Sequence, residues 1–158
     1  RYPIENTTYP VDQLENFKQE NKTILILGGS QGSVSLNSAI KAYIEATKPE
    51  KLQIIHQYGN DNRDWSSFYK EHTIPSHTFS FSHQINRYYP MADVIICRAG
   101  AGTLFEVQRF EKKCIVVPLE FVGSGHQLYN AQAIAKEYPA LFTVVLQKDL
   151  HTVMQKFL

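Results

Sequence analysis

Short apolar runs alternate with amphipathic stretches along almost the whole chain. Most runs are uninterrupted, which is typical of parallel strands that are covered by helices on both faces of a sheet. They predict six strands, at residues 23–27, 52–56, 78–81, 93–97, 114–117 and 142–146.

The stretches between these runs carry apolar residues at helical spacing, as Leu36, Ile40 and Ile44 do after the first strand. Further helices are predicted at residues 61–70, 102–110, 127–136 and 149–158, with a short helix or turn at 85–91. Residues 1–21 are polar and carry two prolines, so we expect an N-terminal segment, left from an interdomain connection, before one domain at 22–158. The alternation predicts the α/β class, with a doubly wound parallel sheet that is Rossmann-like.

Three loops rich in small or polar residues follow predicted strands, at residues 28–32, 98–103 and 118–127. In a sheet of this kind, ligands bind outside the carboxyl ends of the strands, where the strand order reverses. We therefore expect the three loops to meet at one rim of the sheet and to form a binding site there.

The first loop, Gly-Gly-Ser-Gln-Gly at residues 28–32, turns a buried strand into a helix almost without side chains. Backbone N–H groups of such a turn can approach an anion closely, and the dipole of the following helix favours negative charge. The loop therefore predicts a phosphate, as part of a nucleotide or phosphosugar. Close packing of strand against helix is the alternative explanation, since the loop is neither a Walker A loop nor a dinucleotide fingerprint.

The second loop repeats this arrangement, with small residues leading into Thr103 and Glu106 at the start of a helix. Thr103 can cap the helix or donate to a phosphate. Glu106 can complement the helix dipole or accept hydrogen bonds from a ribose diol. Both residues therefore fit a nucleotide site, and both also fit an ordinary helix start.

The third loop brings His126, Gln127 and Asn130 to a predicted helix start. Gln127 and Asn130 are three residues apart and share a helix face. Their amide groups can donate to and accept from sugar hydroxyls, or they can cap the helix. His126 by itself is a weak candidate for a base.

Composition and charge narrow the possibilities. The 158 residues are 43% hydrophobic with a net charge of +1, which allows a sizeable core and leaves no basic field for nucleic acid. Cys97 and Cys114 lie in apolar runs and are expected to be core residues of a reducing compartment, not a disulfide. No signal peptide, membrane span, metal-ligand spacing or nucleophilic triad is recognisable, and histidines such as His56 are expected at the surface or in packing. Because no Met begins the chain, we expect a cytosolic piece of a longer protein.

Taken in order, these loops resemble the C-terminal half of the MurG family, glycosyltransferase family 28. The resemblance covers about residues 22–158. It rests on Gly-Gly-Ser-Gln-Gly with Leu-Asn at 36–37, Ala-Asp at 92–93 before Arg-Ala-Gly-Ala-Gly-Thr at 98–103 and Glu106, His-Gln at 126–127, and Asn-Ala at 130–131. Residues 121–125 depart from the family, being less polar and richer in glycine.

The resemblance implies the two-domain GT-B fold, of which this chain is the donor-binding half. In the family's pattern the first loop and Arg1 meet the diphosphate, the residues from Ala101 to Thr103 line the α-phosphate, and Glu106 binds the ribose. The backbone near Ser82 faces the uracil, and the third loop contacts the sugar. The donor-binding residues implied are Arg1, Gly29, Ser30, Gln31, Ser82, Ala101, Gly102, Thr103, Glu106, His126, Gln127 and Asn130.

The activity implied is inverting transfer of N-acetylglucosamine from UDP-N-acetylglucosamine to undecaprenyl-diphospho-muramoylpentapeptide, the step from lipid I to lipid II in peptidoglycan synthesis. The family places the lipid-linked acceptor and the proposed base in an N-terminal domain. We therefore expect no catalytic residue, metal or cofactor in this chain, which would bind the donor without turning it over. Full-length members are expected at the cytoplasmic face of the bacterial plasma membrane, peripherally bound, with no nucleic-acid partner.

Other hypotheses stay open. The donor-binding subunit or domain of another GT-B enzyme, such as an Alg13-like subunit or a glycolipid or macrolide glycosyltransferase, shares loops of this type. A nucleotide-binding module without catalysis would also need the same site. A nucleotide-sugar epimerase is disfavoured, because the chain lacks both a dinucleotide fingerprint and a Tyr-x-x-x-Lys pair.

Overall fold

The structure, a computed structural model, describes residues 14–28, 33–120 and 125–158. One parallel sheet runs in the order β3-β2-β1-β4-β5-β6. Its strands are β1 (Lys22–Leu27), β2 (Leu52–Gln57), β3 (Ser76–Phe79), β4 (Val94–Cys97), β5 (Lys113–Val116) and β6 (Phe142–Val144). The strand order reverses between β1 and β4, so the predicted doubly wound parallel sheet is confirmed.

Helices follow the strands along the chain. They are α1 (Val34–Thr47), α2 (Trp65–Glu71), α3 (Ala101–Arg109), α4 (Gly125–Glu137) and α5 (Leu150–Phe157). The predicted helix or turn at 85–91 forms two 3-10 turns, Ile85–Arg87 and Tyr89–Met91, and a third precedes α5 at Gln147–Asp149. Over the described part of the chain, no helix is both long and apolar enough to cross a bilayer.

The core lies on both faces of the sheet because strand side chains alternate between them. Ile24, Ile54 and Ile96 face one side, where α1, α2 and α5 pack through residues such as Leu36, Trp65 and Met154. Leu25, Ile55 and Ile95 face the other side with Leu104 and Val107 of α3 and Ala131 of α4. Strands such as β1 and β4 therefore need apolar side chains on both faces, as predicted.

The N-terminal segment predicted at 1–21 is described only from residue 14. There the chain forms turns, and Phe17 is buried in the second core face. The backbone N–H of Lys18 donates to the side-chain amide of Gln53 on β2 (2.8 Å). This part of the segment is therefore packed onto the domain.

The sequence predicts that helix α2 begins at residue 61, but in the structure it begins at Trp65. Asp61 instead accepts hydrogen bonds from the backbone N–H and the guanidinium of Arg63. Asp64 caps the helix by accepting from the backbone N–H of Ser67 (3.0 Å). The prediction was wrong here because the Asp61–Arg63 pair holds the chain outside helical geometry.

Strand β3 lies two residues before its predicted position. Its pairing with β2 runs from Ile54 opposite Ser76 to Gln57 opposite Phe79. Phe81 consequently lies in the following loop, where 52% of its surface is exposed. Register with β2, which depends on packing across the sheet, decides this boundary.

The cysteines are buried core residues on β4 and β5, as predicted. The Sγ atoms of Cys97 and Cys114 lie 3.4 Å apart as free thiols. Burial raises the pKa of the Cys114 thiol well above its ordinary value. The Cys114 thiol is therefore protonated and poorly reactive in the folded protein.

Candidate functional site

The loops after β1, β4 and β5 meet at the carboxyl edge of the sheet because these strands are neighbours. The backbone N–H of Arg98 donates to the carbonyl of Leu27 (3.3 Å), and that of Val117 donates to the carbonyl of Cys97 (2.8 Å). The three strand ends are thus joined at the point where the strand order reverses. The predicted donor-binding residues Arg1, Gly29, Ser30 and Gln31 lie outside the described residues, as do residues 121–124.

Helix α3 begins with Gly100 as its N-cap residue. Among the described residues, no side-chain cap hydrogen bond forms at this helix start. Ala101 and Gly102 are exposed, and a Cβ atom added at Gly100 or Gly102 would meet nothing within 4 Å. Packing therefore does not require these glycines, which leave open space beside a helix start that favours anions.

Arg98, which follows β4, is almost fully buried at the same rim (5% exposed). Its guanidinium donates to the hydroxyls of Ser33 (2.9 Å) and Ser35 (2.7 Å), to the side-chain amide oxygen of Gln147 (2.7 Å) and to the carbonyl of Val117 (3.2 Å). We call these five residues the Arg98 cluster. Ser33 is also the N-cap of α1.

The guanidinium of Arg98 is held by neutral acceptors. Among the described residues, no carboxylate forms an ion pair with Arg98. Burial lowers the pKa of its guanidinium, and Glu120 at longer range raises it. Sequence reasoning gave Arg98 no role of its own, although a long cationic side chain in a loop of small residues is a usable signal.

A cavity of about 280 Å³, the rim cavity, opens beside the first turns of α3. It brings together three of the predicted residues, Ser82, Thr103 and Glu106. The phenol of Tyr89 also borders it and donates to Glu106 Oε2 (2.7 Å). The ring of Phe81, another lining residue, stands edge-on to that of His83, with centroids 4.9 Å apart.

Two amide side chains near the start of α4, those of Gln127 and Asn130, hydrogen-bond to the backbone of the neighbouring loops. Gln127 Oε1 accepts from the backbone N–H groups of Ala99 (3.2 Å) and Leu119 (3.1 Å). Asn130 Nδ2 donates to the carbonyl of Ala99 (3.4 Å), so these side chains do share one helix face. Because both lone pairs of the Gln127 oxygen are used, a sugar contact by this residue would fall to its amide nitrogen.

The remaining predicted residues lie apart from the rim cavity. His126 is exposed at the start of α4. Asn130 and Ala101 border a second cavity, of about 350 Å³, between α3 and α4, whose lining includes Leu104 and Ile134. The structure thus gathers Ser82, Thr103 and Glu106, the residues predicted for uracil, α-phosphate and ribose. It does not bring Ala101, His126 or Asn130 to the same cavity.

A second buried polar cluster lies further inside the domain. His56 donates through Nε2 to Asn37 Oδ1 (2.8 Å) and accepts at Nδ1 from the Tyr69 hydroxyl (2.8 Å). Asn37 donates to Asp61 Oδ2 (3.1 Å), which also accepts from Arg63 Nη2 (2.6 Å). We call these five residues the inner cluster. His56 is therefore a packing residue, as predicted.

Burial dominates the electrostatics of the inner cluster. It lowers the pKa of His56 to about 3, with a smaller opposing effect of Asp61 and a further lowering by Arg63. Hydrogen bonds from Arg63 hold the pKa of Asp61 below its ordinary value. The described residues contain no group of three or more His, Cys, Asp or Glu side chains placed to hold a metal ion.

Known proteins resemble this chain in sequence and in structure. Residues 23–157 match the model of the glycosyltransferase family 28 C-terminal domain. The UDP-N-acetylglucosamine–N-acetylmuramyl-(pentapeptide) pyrophosphoryl-undecaprenol N-acetylglucosamine transferase of Campylobacter fetus is 32% identical over 96% of this chain and 50% of its own length. The protein of the same name from Geobacter metallireducens is 32% identical over 92% of this chain and 42% of its own.

A solved structure also resembles this chain over less than half of its own length. The crystal structure of Acinetobacter baumannii MurG matches with a TM-score of 0.71 and 25% identity, over 89% of this chain and 42% of that one. The chain thus spans about half the length of the curated relatives it matches.

Proposed function

Because the chain belongs to glycosyltransferase family 28 and matches its C-terminal domain, we propose that residues 22–158 form a UDP-sugar donor-binding domain. Residues 1–21 are proposed as the segment that precedes this domain. The proposed donor is UDP-N-acetylglucosamine, the donor in the name of the Campylobacter fetus relative.

The rim cavity carries this proposal. Ser82, Thr103 and Glu106, which the family's pattern assigns to uracil, α-phosphate and ribose, all line it. It lies beside the reversal of strand order, where sheets of this kind bind nucleotides. Its volume of about 280 Å³ suits the nucleoside part of the donor.

The charges at the carboxyl edge of the sheet also suit a diphosphate. The N-terminus of α3 has no side-chain cap from the described residues. Arg98 supplies a buried cation whose guanidinium contacts no described carboxylate. Fixed N–H dipoles and positive charge stabilise a leaving UDP, which gains negative charge as the bond to the sugar breaks. The proposed role of this chain in the reaction is thus to stabilise UDP as the leaving group.

The proposed reaction is an inverting displacement. A hydroxyl of the muramyl acceptor attacks the anomeric carbon of N-acetylglucosamine, the bond from that carbon to the diphosphate breaks, and the acceptor proton passes to a base. We place that base and the lipid-linked acceptor in an N-terminal domain of a two-domain enzyme. Its product is lipid II, made at the cytoplasmic face of the membrane, and this chain alone binds the donor without transferring the sugar.

Isothermal titration calorimetry tests donor binding. We expect saturable binding of UDP and UDP-N-acetylglucosamine, and a loss of about 10- to 100-fold in UDP affinity for Glu106→Ala. Glu50→Ala is the matched control, because Glu50 is exposed just before β2, at the opposite edge of the sheet. No UDP binding at millimolar concentration would contradict the proposal, and tighter binding of a dTDP-sugar would favour a macrolide-type enzyme.

A further inference from the structure

Tyr89 is anchored by its ring and aims its hydroxyl at the rim cavity. It lies in the 3-10 turn before β4 and is 1% exposed. Its ring stacks on that of Phe110, with centroids 5.0 Å apart and planes 13° from parallel. Because stacking and burial fix the ring, the position of the hydroxyl does not depend on its own hydrogen bond.

The Tyr89 hydroxyl is a permanent donor to Glu106. Burial, reinforced by the hydrogen bond and charge of Glu106, raises the pKa of the phenol well above its ordinary value, so it stays protonated. The phenol oxygen of Tyr89 lies 2.7 Å from Glu106 Oε2, which is the distance of a strong hydrogen bond. One carboxylate oxygen is thus held by a rigid neighbour that reaches α3 from another part of the chain.

A carboxylate held in this way retains room for further donors. Its two oxygens offer about four lone-pair positions, and the phenol occupies one of them. Glu106 otherwise has several rotatable bonds, and ordering such a side chain costs conformational entropy at the moment of binding. Fixing Glu106 before the ligand arrives removes much of that cost.

We propose that Tyr89 is a positioning residue, which holds Glu106 so that its carboxylate accepts both hydroxyls of a ribose. The domain thereby prefers ribonucleotides to nucleotides that lack the diol. This inference rests on the proposed function, in which Glu106 contacts the ribose of the donor.

The test compares UDP with 2′,3′-dideoxy-UDP, which keeps the base and diphosphate and lacks the diol. The discrimination ratio is the dissociation constant of the dideoxy ligand divided by that of UDP, measured by calorimetry on the 158-residue chain. In Tyr89→Phe we expect UDP to bind about five- to tenfold more weakly, with dideoxy-UDP unchanged, so that the ratio falls. In a Glu106→Ala background, Tyr89→Phe should have no further effect.

Tyr88→Phe is the matched control. Tyr88 is the adjacent residue, is also buried, and hydrogen-bonds through its hydroxyl to His77 Nε2 (2.9 Å) and not to Glu106. It should leave the ratio unchanged. Glu106→Asp tests the same contact without altering Tyr89, because the carboxylate is shortened by one methylene, and the ratio should fall there too.

Other results of these titrations would overturn the inference, and each would show which part of it is wrong. An unchanged ratio in Tyr89→Phe and Glu106→Asp rejects the role of Tyr89 and leaves the proposed function intact. Equal weakening of both ligands shows a general structural effect, and equal wild-type affinities show that Glu106 does not contact the diol. If the wild-type chain binds neither ligand, the proposed function itself fails.

Discussion

Two buried polar clusters contact helix α1, and they differ in charge balance. The Arg98 cluster meets the helix at its start, through Ser33 and Ser35, and surrounds a guanidinium with hydroxyl, amide and carbonyl oxygens. The inner cluster meets it at Asn37, one turn later, and pairs the cation of Arg63 with the carboxylate of Asp61. The guanidinium of Arg98 thus contacts no carboxylate among the described residues, although Glu120 Oε2 accepts from the backbone N–H of Gln147 (3.3 Å). The guanidinium of Arg63 is paired directly with Asp61.

Under the proposed function, we interpret this difference as separating residues that serve folding from residues that serve binding. The inner cluster has the residue types of many active sites, yet its histidine is buried and neutral and bonded at both ring nitrogens. A buried cation beside a helix N-terminus is unfavourable until an anion arrives. We therefore propose that the Arg98 cluster, and not the inner cluster, faces the diphosphate of the donor.

The largest expected effect is acid sensitivity caused by His56. Its pKa is about 3 when folded and 6.5 in the unfolded chain, so the unfolded state binds the proton first. Stability is therefore fully present above pH 6.5 and is lost as the pH falls toward 3. We expect the free energy of unfolding to drop by about 3 kcal/mol between pH 6.5 and pH 4. Urea titrations across this range measure it.

The control for His56 is His56→Gln, which keeps hydrogen-bonding groups and does not titrate. The contribution of Asp61 begins only below about pH 4, since its pKa is lowered from 3.8. His77, whose pKa burial also lowers, contributes equally to both proteins. Parallel stability curves for the wild-type chain and His56→Gln would contradict the assignment.

The next effect is loss of the internal anion. Asp61→Asn removes the carboxylate partner of Arg63 and weakens the contact with Asn37. We expect the free energy of unfolding to fall by about 2 kcal/mol, because the pair is partly buried. UDP affinity should be unchanged within twofold, measured by calorimetry well below the melting temperature. A large loss of UDP affinity would show that the inner cluster belongs to the binding site.

Ser33→Asp would give the guanidinium of Arg98 a carboxylate partner, as Arg63 already has. Asp is a good N-cap and would lie against the guanidinium that now binds the Ser33 hydroxyl. We expect a gain of about 1 kcal/mol in the free energy of unfolding and about tenfold weaker UDP binding, with uridine affinity unchanged. Ser33→Ala, which loses the cap without adding charge, should instead lower stability. Undiminished UDP binding in Ser33→Asp would show that this charge does not reach the diphosphate.

The sequence predicts the fold better than the site for physical reasons. Apolar runs specify strands such as β1 because both sheet faces must be covered, and parallel strands bring their carboxyl ends to one rim whatever the side chains do. The start of α2 was missed because the Asp61–Arg63 contact is a matter of side-chain geometry. Within the site, the family's pattern selected Ser82, Thr103 and Glu106, which line one cavity.

The unpredicted parts of the site depend on contacts between distant residues. Tyr89 reaches Glu106 from a turn on the other side of β4, and the apolar surroundings of its ring gave no sign of the hydroxyl's partner. Gln127 has the right chemistry for a sugar, yet its oxygen holds two backbone N–H groups. Residue type and spacing cannot decide between such uses, because the choice rests on rotamers fixed by packing.

The smallest effect is expected at the start of α3, where a substitution should raise stability and weaken UDP binding. Gly102→Ala adds a methyl group in open space inside the first turn of α3, and alanine favours helix over glycine by up to about 1 kcal/mol. We expect a small rise in melting temperature and about fivefold weaker UDP binding, because the methyl group occupies space beside the proposed α-phosphate. Gly100→Ala also adds a methyl group in open space, but at the N-cap, where alanine is disfavoured, so it should lower stability slightly. If Gly102→Ala binds UDP as tightly as the wild-type chain, the α3 start does not approach the phosphate, and the Arg98 cluster alone carries the anion.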